Sequence, residues 1–187
     1  MKKFKNIIWS SFIIILTFTA CKKQESTDHD HSDENELITT LAIHFTDTAT
    51  GDTFSYAWRQ PAGVGTAITV DTIRLKAGKS YLAQVQVLDE SKKPAVDLSA
   101  EIASLANEHR FFYSSVNSAL QVIVLDYDSQ TPPMELGLKF RLNSLSANPW
   151  LGNFGVKLKH YPSSSPKTGG EANGTTDIEV SFPMVLN

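Results

Sequence analysis

Cysteine is almost missing from this chain, with one residue, Cys21, among 187. A lone thiol cannot close an internal disulfide, so no cross-link supports the fold. Long apolar runs are missing too. The longest, Ile7 to Phe18, falls well short of the roughly 20 residues that span a bilayer, and a polar segment follows it at once. Glycine does not form a phosphate-cradling loop, and no serine sits in a Gly-x-Ser-x-Gly turn, which argues against nucleotide chemistry and hydrolase-type nucleophiles. Basic charge is in deficit. Three of the 17 Lys and Arg lie in residues 1–20 and none of the 20 Asp and Glu do, so the remainder carries a net charge of −6. A surface of that sign does not suit nucleic acid, whose phosphates need a positive patch. No internal repeat recurs at a fixed period.

What is present at the N-terminus explains the single thiol. Lys2, Lys3 and Lys5 precede the apolar run, and the small residues Thr19 and Ala20 stand before Cys21. This is the pattern of an export signal over residues 1–20. The stretch Phe18-Thr19-Ala20-Cys21 resembles the lipobox of bacterial lipoproteins, with Phe18 where an aliphatic residue is usual. The resemblance implies that Cys21 becomes the first mature residue and carries the lipid. In an oxidising compartment, acylation accounts for a solitary cysteine better than redox chemistry does.

Residues 21–36 follow as KKQESTDHDHSDENE after the cysteine, with six acids, two histidines and no apolar side chain. Such a segment buries too little surface to offset its ordering entropy, so a disordered tether is expected. His29 and His31, flanked by Asp28, Asp30 and Asp33, are metal-ligand candidates. A solvated charged linker is the plainer reading.

From Leu37 to the end the pattern is that of a single domain of about 150 residues, enough for one core. Leu37, Leu41, Ile43 and Phe45 lie on one face of a first strand, which turns His44 towards solvent. Phe54, Tyr56 and Trp58 continue the alternation. Ile68 and Val70 share one parity and Ile73 and Leu75 the other, which predicts a bulge or bend near Asp71. Tyr81 to Val87, Phe111 to Ser115, Leu120 to Tyr127, Leu136 to Leu142, Phe154 to Leu158 and Ile178 to Met184 supply further strands. The run from Leu120 to Tyr127 is apolar on both faces and reads as a central strand. Between them, Leu98, Ile102, Leu105, His109 and Phe112 recur at spacings of four and three, which predicts one helix from about Asp97 to His109. About eight strands with one inserted helix make the expected fold all-β, an antiparallel β-sandwich of immunoglobulin-like or jelly-roll-like kind.

The segments ENELITTLAIHFTD, NEHRFFYS, VKLKHYP and TTDIEVSFP together resemble a family of small Bacteroidetes lipoproteins. Some members carry the label "type 1 periplasmic binding fold", a two-lobed α/β structure that this chain is too short and too poor in helices to form. The resemblance implies a lipid anchor in the outer membrane, at the cell surface or facing the periplasm. It also implies a binding role, with capture of a metal ion or small nutrient for a TonB-dependent transporter.

Paired carboxylates such as Asp89-Glu90 and Asp126/Asp128 lie at strand ends, where they are expected to flank turns. A glycosidase-type pair assembled across strands is the one catalytic arrangement left open, and the chain is expected not to be an enzyme. Metal is the sharper alternative. His109 lies on the apolar helix face and His160 shares parity with Phe154, Val156 and Leu158, so both are expected to point inward. With Glu108 they form a candidate set for zinc or copper, although on a helix Glu108 would stand about 100° from His109. The plainer reading makes each histidine a core-edge residue bonded to backbone. Arg59, Arg74 and Arg110 are candidates for anion recognition or simple solubilisers. A structural or adhesive envelope protein contacting protein or glycan partners is the competing function, which aromatic side chains such as Trp58 and Trp150 clustered in loops would favour.

Overall fold

The alternation at Leu41, Ile43 and Phe45 becomes strand β1, Thr40–Asp47, in which these three are fully buried while His44 is exposed; Leu37, expected on the same face, lies before the strand and is exposed. The computed structural model describes residues 37–61, 65, 67–115, 119–162, 167 and 170–187. The expectations for the leader, Cys21, His29 and His31 lie outside the described residues. Ten further strands follow: β2 Thr53–Arg59, β3 Thr69–Val70, β4 Ile73–Leu75, β5 Ser80–Asp89, β6 Val96–Asp97, β7 His109–Ser115, β8 Leu120–Val124, β9 Lys139–Ser144, β10 Trp150–His160 and β11 Thr175–Leu186. Among the described residues a single helix, α1, spans Ser99–Ser104.

The strands form two sheets. The larger has the order β3-β2-β1-β5-β9-β8, with β6 also pairing to β5, and all of its pairs are antiparallel. The smaller has the order β4-β11-β10-β7, antiparallel except that β4 runs parallel to β11. Inward residues of both sheets merge into one core, so the fold is all-β and sandwich-like. Aromatic rings join the layers. Phe140 of the larger sheet meets Tyr113 and Phe154 of the smaller at ring-centroid distances of 4.3 and 6.1 Å, and Phe45 meets Phe140 edge-on at 6.3 Å. Each such buried ring contributes roughly 1.5 to 3 kcal/mol through removal from water.

The parity change after Val70 has a concrete cause. The chain leaves the larger sheet at β3 and enters the smaller at β4, turning at Asp71 and Thr72. Asp71 fixes the turn, its carboxylate accepting from the Ala57 amide at 2.8 Å and from Arg59 at 3.3 Å. A bend was the right inference, and a change of sheet is its purpose.

Two expectations fail. Leu120 to Tyr127 does not make a central strand, because β8 is the edge of the larger sheet and Ile123, Leu125 and Tyr127 remain exposed. Apolar residues on both faces indicate burial on both faces only if a layer covers each, and here one face stays open. The helix is also far shorter than Asp97–His109. It stops at Ser104, and His109 opens strand β7 instead. Leu105 O, which the His109 amide would take in a continued helix, instead accepts from the Glu108 amide at 2.8 Å in a tighter turn and lies 3.1 Å from His109 Nδ1. Beyond the turn, Lys167 Nζ takes the carbonyls of Ala106 and His109, and the Tyr161 amide takes that of Glu108. Beyond that point His109 and Phe111 are buried in alternation, and the four-and-three spacing ending at Phe112 is a coincidence of composition.

The segment Leu136–Leu138 ties the sheets together. The Phe111 amide of β7 donates to Leu136 O at 2.7 Å and the Val85 amide of β5 donates to Leu138 O at 2.9 Å. Between them Gly137 holds φ +92°, and a Cβ there would lie 2.9 Å from Phe111 Cβ. Left-handed backbone and a crowded neighbour act in the same direction, so Gly137→Ala is expected to cost about 2 to 4 kcal/mol. The urea-unfolding midpoint measures it, and an unchanged midpoint would remove this segment as a fixed joint between the sheets.

Candidate metal centre

Two adjacent strands bring the inward histidines together. His109, the first residue of β7, stands opposite His160, the last of β10, in the antiparallel register that also pairs Phe111 with Leu158. Their rings stack with centroids 4.8 Å apart and planes 19° from parallel. Residues 51 positions apart in the sequence thus become neighbours because both occupy the core-facing parity at the same end of the smaller sheet.

A third donor arrives through an irregularity. In the β10–β11 ladder, Leu158 pairs with Ile178 but Lys159 pairs with Thr176, so Asp177 is one extra residue with no partner opposite. A β-bulge of this kind re-aims the side chain it inserts. Strict alternation would have set Asp177 on the face opposite Ile178 and Val180, away from the core. Instead, donor atoms of Asp177, His109 and His160 all lie within 4.8 Å of one another. Gly174, at φ +74°, lets the chain reach this position, since a Cβ there would come within 2.3 Å of His160 O.

The protonation states suit a cation. His109 Nδ1 lies 3.1 Å from Leu105 O, which as a carbonyl can only accept, so Nδ1 carries the hydrogen and Nε2 keeps its lone pair free to coordinate. Burial holds the His109 imidazole below the ordinary histidine range, and the neighbouring His160 acts in the same direction. Burial pushes Asp177 up to about 6, an effect that His160 and Lys159 only partly offset. Burial is thus the leading cause of both shifts, each towards the neutral form of the group.

Behind the cluster lies a buried ammonium. Lys167 Nζ donates to Asp128 Oδ2 at 2.9 Å, to Ala106 O at 2.9 Å and to His109 O at 3.0 Å, so its three hydrogens have three acceptors. Both charged side chains are fully removed from solvent. Burial lowers the Lys167 pKa, with Asp128 opposing; Asp128 is also pushed up by burial, but hydrogen bonds from the Met134 amide and Lys167 leave it net below the usual carboxylate range. The contact fixes the backbone of His109 directly.

The remaining sequence candidates divide clearly. Glu108 comes within 3.7 Å of His160 Nε2 through its Oε2. Having left the helix, it is not bound by the 100° separation a helix would impose. His44 is exposed and occupied by Ser55 and Gln86. Asp89, Asp126 and Asp128 accept turn amides, as residues flanking turns should. Arg59 pairs with Asp71, and Arg110 pairs with Glu135 while lying over the Phe112 ring. Trp58 and Trp150 are strand residues packed partly against the core, so neither forms a loop cluster of exposed aromatics. Sequence reasoning missed Asp177 and Lys167. An acid before an alternating strand reads as the solvent face, and a lysine in a polar loop reads as solvated; neither carries a local signal to the contrary.

No protein-family model matches this chain, and no curated protein or solved structure matches it either. The chemistry of the site therefore follows from its own donor atoms.

Asp177 supplies a direct test of the unbalanced charge. Its folded pKa lies above the unfolded one, so in metal-free protein the carboxylate burdens the fold increasingly as pH rises from about 4 to 6, and fully above that. In the presence of chelator, Asp177→Asn is expected to raise stability at pH 7 by on the order of 1 to 3 kcal/mol and to change little near pH 3.5. Equal urea midpoints for both proteins at pH 7 would contradict the strained carboxylate.

Proposed function

We propose that this chain is a lipid-anchored envelope protein whose sandwich domain is a non-catalytic module for binding a divalent transition-metal ion, zinc foremost. The single observation that carries the reading is the convergence of His109, His160 and Asp177 from three strands, with donor atoms within 4.8 Å of one another. Two imidazoles and a carboxylate suit zinc, and they suit copper in its divalent form; soft monovalent copper would call for sulfur ligands. In a tetrahedral site the donors would draw in to roughly 3.3 Å of one another, a movement within reach of side-chain rotation.

Anchoring rests on the leader and Cys21, and the resemblance to small Bacteroidetes lipoproteins adds a TonB-dependent transporter as a recipient for the ion. The adhesive alternative has lost its main support, because Trp58 and Trp150 pack against the core instead of gathering in loops.

Zinc at about a hundredfold excess over its dissociation constant stabilises a native-only site by about 2.7 kcal/mol, which for a domain of this size raises Tm by several degrees. The untagged full chain should show that rise, and the His109→Ala/His160→Ala double variant, which retains His29 and His31, should lose it. A rise that survives the double substitution would place the stabilising ion elsewhere in the folded domain and overturn the site, since binding to a disordered tether does not favour the native state. For anchoring, Cys21→Ser should release a folded protein from the membrane fraction, and persistence of the serine variant on salt-washed membranes would defeat the lipoprotein reading.

A further inference from the structure

Three donors would leave a tetrahedral ion with one open position, where a bound water becomes acidic and the site turns hydrolytic. Whether that position is filled by protein separates a catalytic centre from a holding one. Glu108 lies outside the 4.8 Å cluster of the other three donors but reaches His160, its Oε2 being 3.7 Å from His160 Nε2. This residue lies in the turn between α1 and β7, immediately before His109, with a side chain 24% exposed. Its backbone is held by the Tyr161 amide, which donates to Glu108 O at 2.7 Å, one residue beyond His160. The same strand ends that fix the two histidines therefore fix Glu108.

The separation between Glu108 Oε2 and His160 Nε2, 3.7 Å, is informative. It is too long for a hydrogen bond, which between these atoms has its mode near 2.9 Å. It is close to the roughly 3.3 Å expected between two donors each about 2 Å from one tetrahedral ion. A carboxylate serving only to orient His160 would be drawn into hydrogen-bond contact with it.

We infer that Glu108 is the fourth metal ligand, closing a site of two imidazole nitrogens and two carboxylate oxygens from His109, His160, Asp177 and Glu108. The inference rests on the metal-binding reading above and sharpens it. Two carboxylates neutralise the charge of a divalent ion, and four protein donors leave no water to activate. The ion is then held as cargo or as a fastener of strand ends, and hydrolysis has no foothold. The turn bearing Glu108 is the one part of the set outside a strand, which makes this ligand the natural one to be released when the ion is exchanged.

The test uses the full chain with zinc and cobalt(II) as probes, comparing wild type with Glu108→Gln and Glu108→Ala. Circular dichroism serves as the check on folding. Chelator competition gives zinc affinity, and the visible absorption of cobalt reports its coordination. Both variants are expected to bind zinc at least tenfold more weakly and to shift the cobalt bands, because a neutral amide is a poor substitute for a carboxylate ligand. Two results overturn the inference while leaving metal binding intact: affinities equal to wild type, or a loss in Glu108→Ala that Glu108→Gln rescues with the cobalt spectrum unchanged, the mark of a residue that only positions His160. If wild type binds neither ion, the metal-binding reading itself falls, and the assignment of Glu108 falls with it.

Discussion

An ammonium group stripped of water must find an acceptor for every hydrogen, and in this domain the way Lys167 meets that demand shapes the region around the histidines. Its three hydrogens go to Asp128 and to the carbonyls of Ala106 and His109. Those two carbonyls flank the turn that follows α1, so the ammonium holds in place the segment from which His109 begins its strand. Holding Asp128 organises the turn through Met134 and Gln130, whose amides the same carboxylate accepts. Removing one partner of a buried pair of this kind strands the other charge, at a cost of roughly 3 to 5 kcal/mol. The geometry of the site is therefore coupled to a contact that is not itself part of the site.

The cluster facing that contact is built the opposite way. A buried His109 and the half-buried His160 and Asp177 bring two imidazoles and a carboxylate together at strand ends, and burial moves His109 and Asp177 towards their neutral forms. Where Lys167 and Asp128 satisfy one another, Asp177 has only weak compensation from His160 and Lys159. The bulge in β11 and the left-handed backbone at Gly174 hold that carboxylate against the two imidazoles. A divalent cation is the occupant proposed for this donor set.

Much of the architecture was legible from alternation, because a strand with one buried face must write its parity into the sequence. Leu41, Ile43 and Phe45 in β1, Phe154, Val156 and Leu158 in β10, and Ile178, Val180, Phe182 and Met184 in β11 all lie in the core as their spacing requires. The shift of parity at Asp71 was legible as well. Errors arose where a local pattern admitted two outcomes. Leu98 to Phe112 fits a helical face, but from His109 onward the chain pairs as a strand with β10, a partner far along the sequence. Leu120 to Tyr127 fits a covered strand, but whether a second layer reaches it depends on the order of the sheet.

The candidate site shows the same division most sharply. The inward parity of His160 followed from its own strand, since alternation is a property of consecutive residues. His109 pointed inward as expected, but as a strand residue and not a helical one. Their pairing across β7 and β10 came only with the register of the smaller sheet, which no local signal encodes. Asp177 was beyond reach of sequence for a stronger reason: the parity rule assigns it to solvent, and only a one-residue slip between Leu158 and Lys159 turns it inward. The sequence by itself determined that strands would form, which of their faces would be buried, and that two histidines would face the core. The tertiary structure decided which strand ends would meet, and so which donors could share one ion, because register and bulge depend on contacts between segments far apart in the chain.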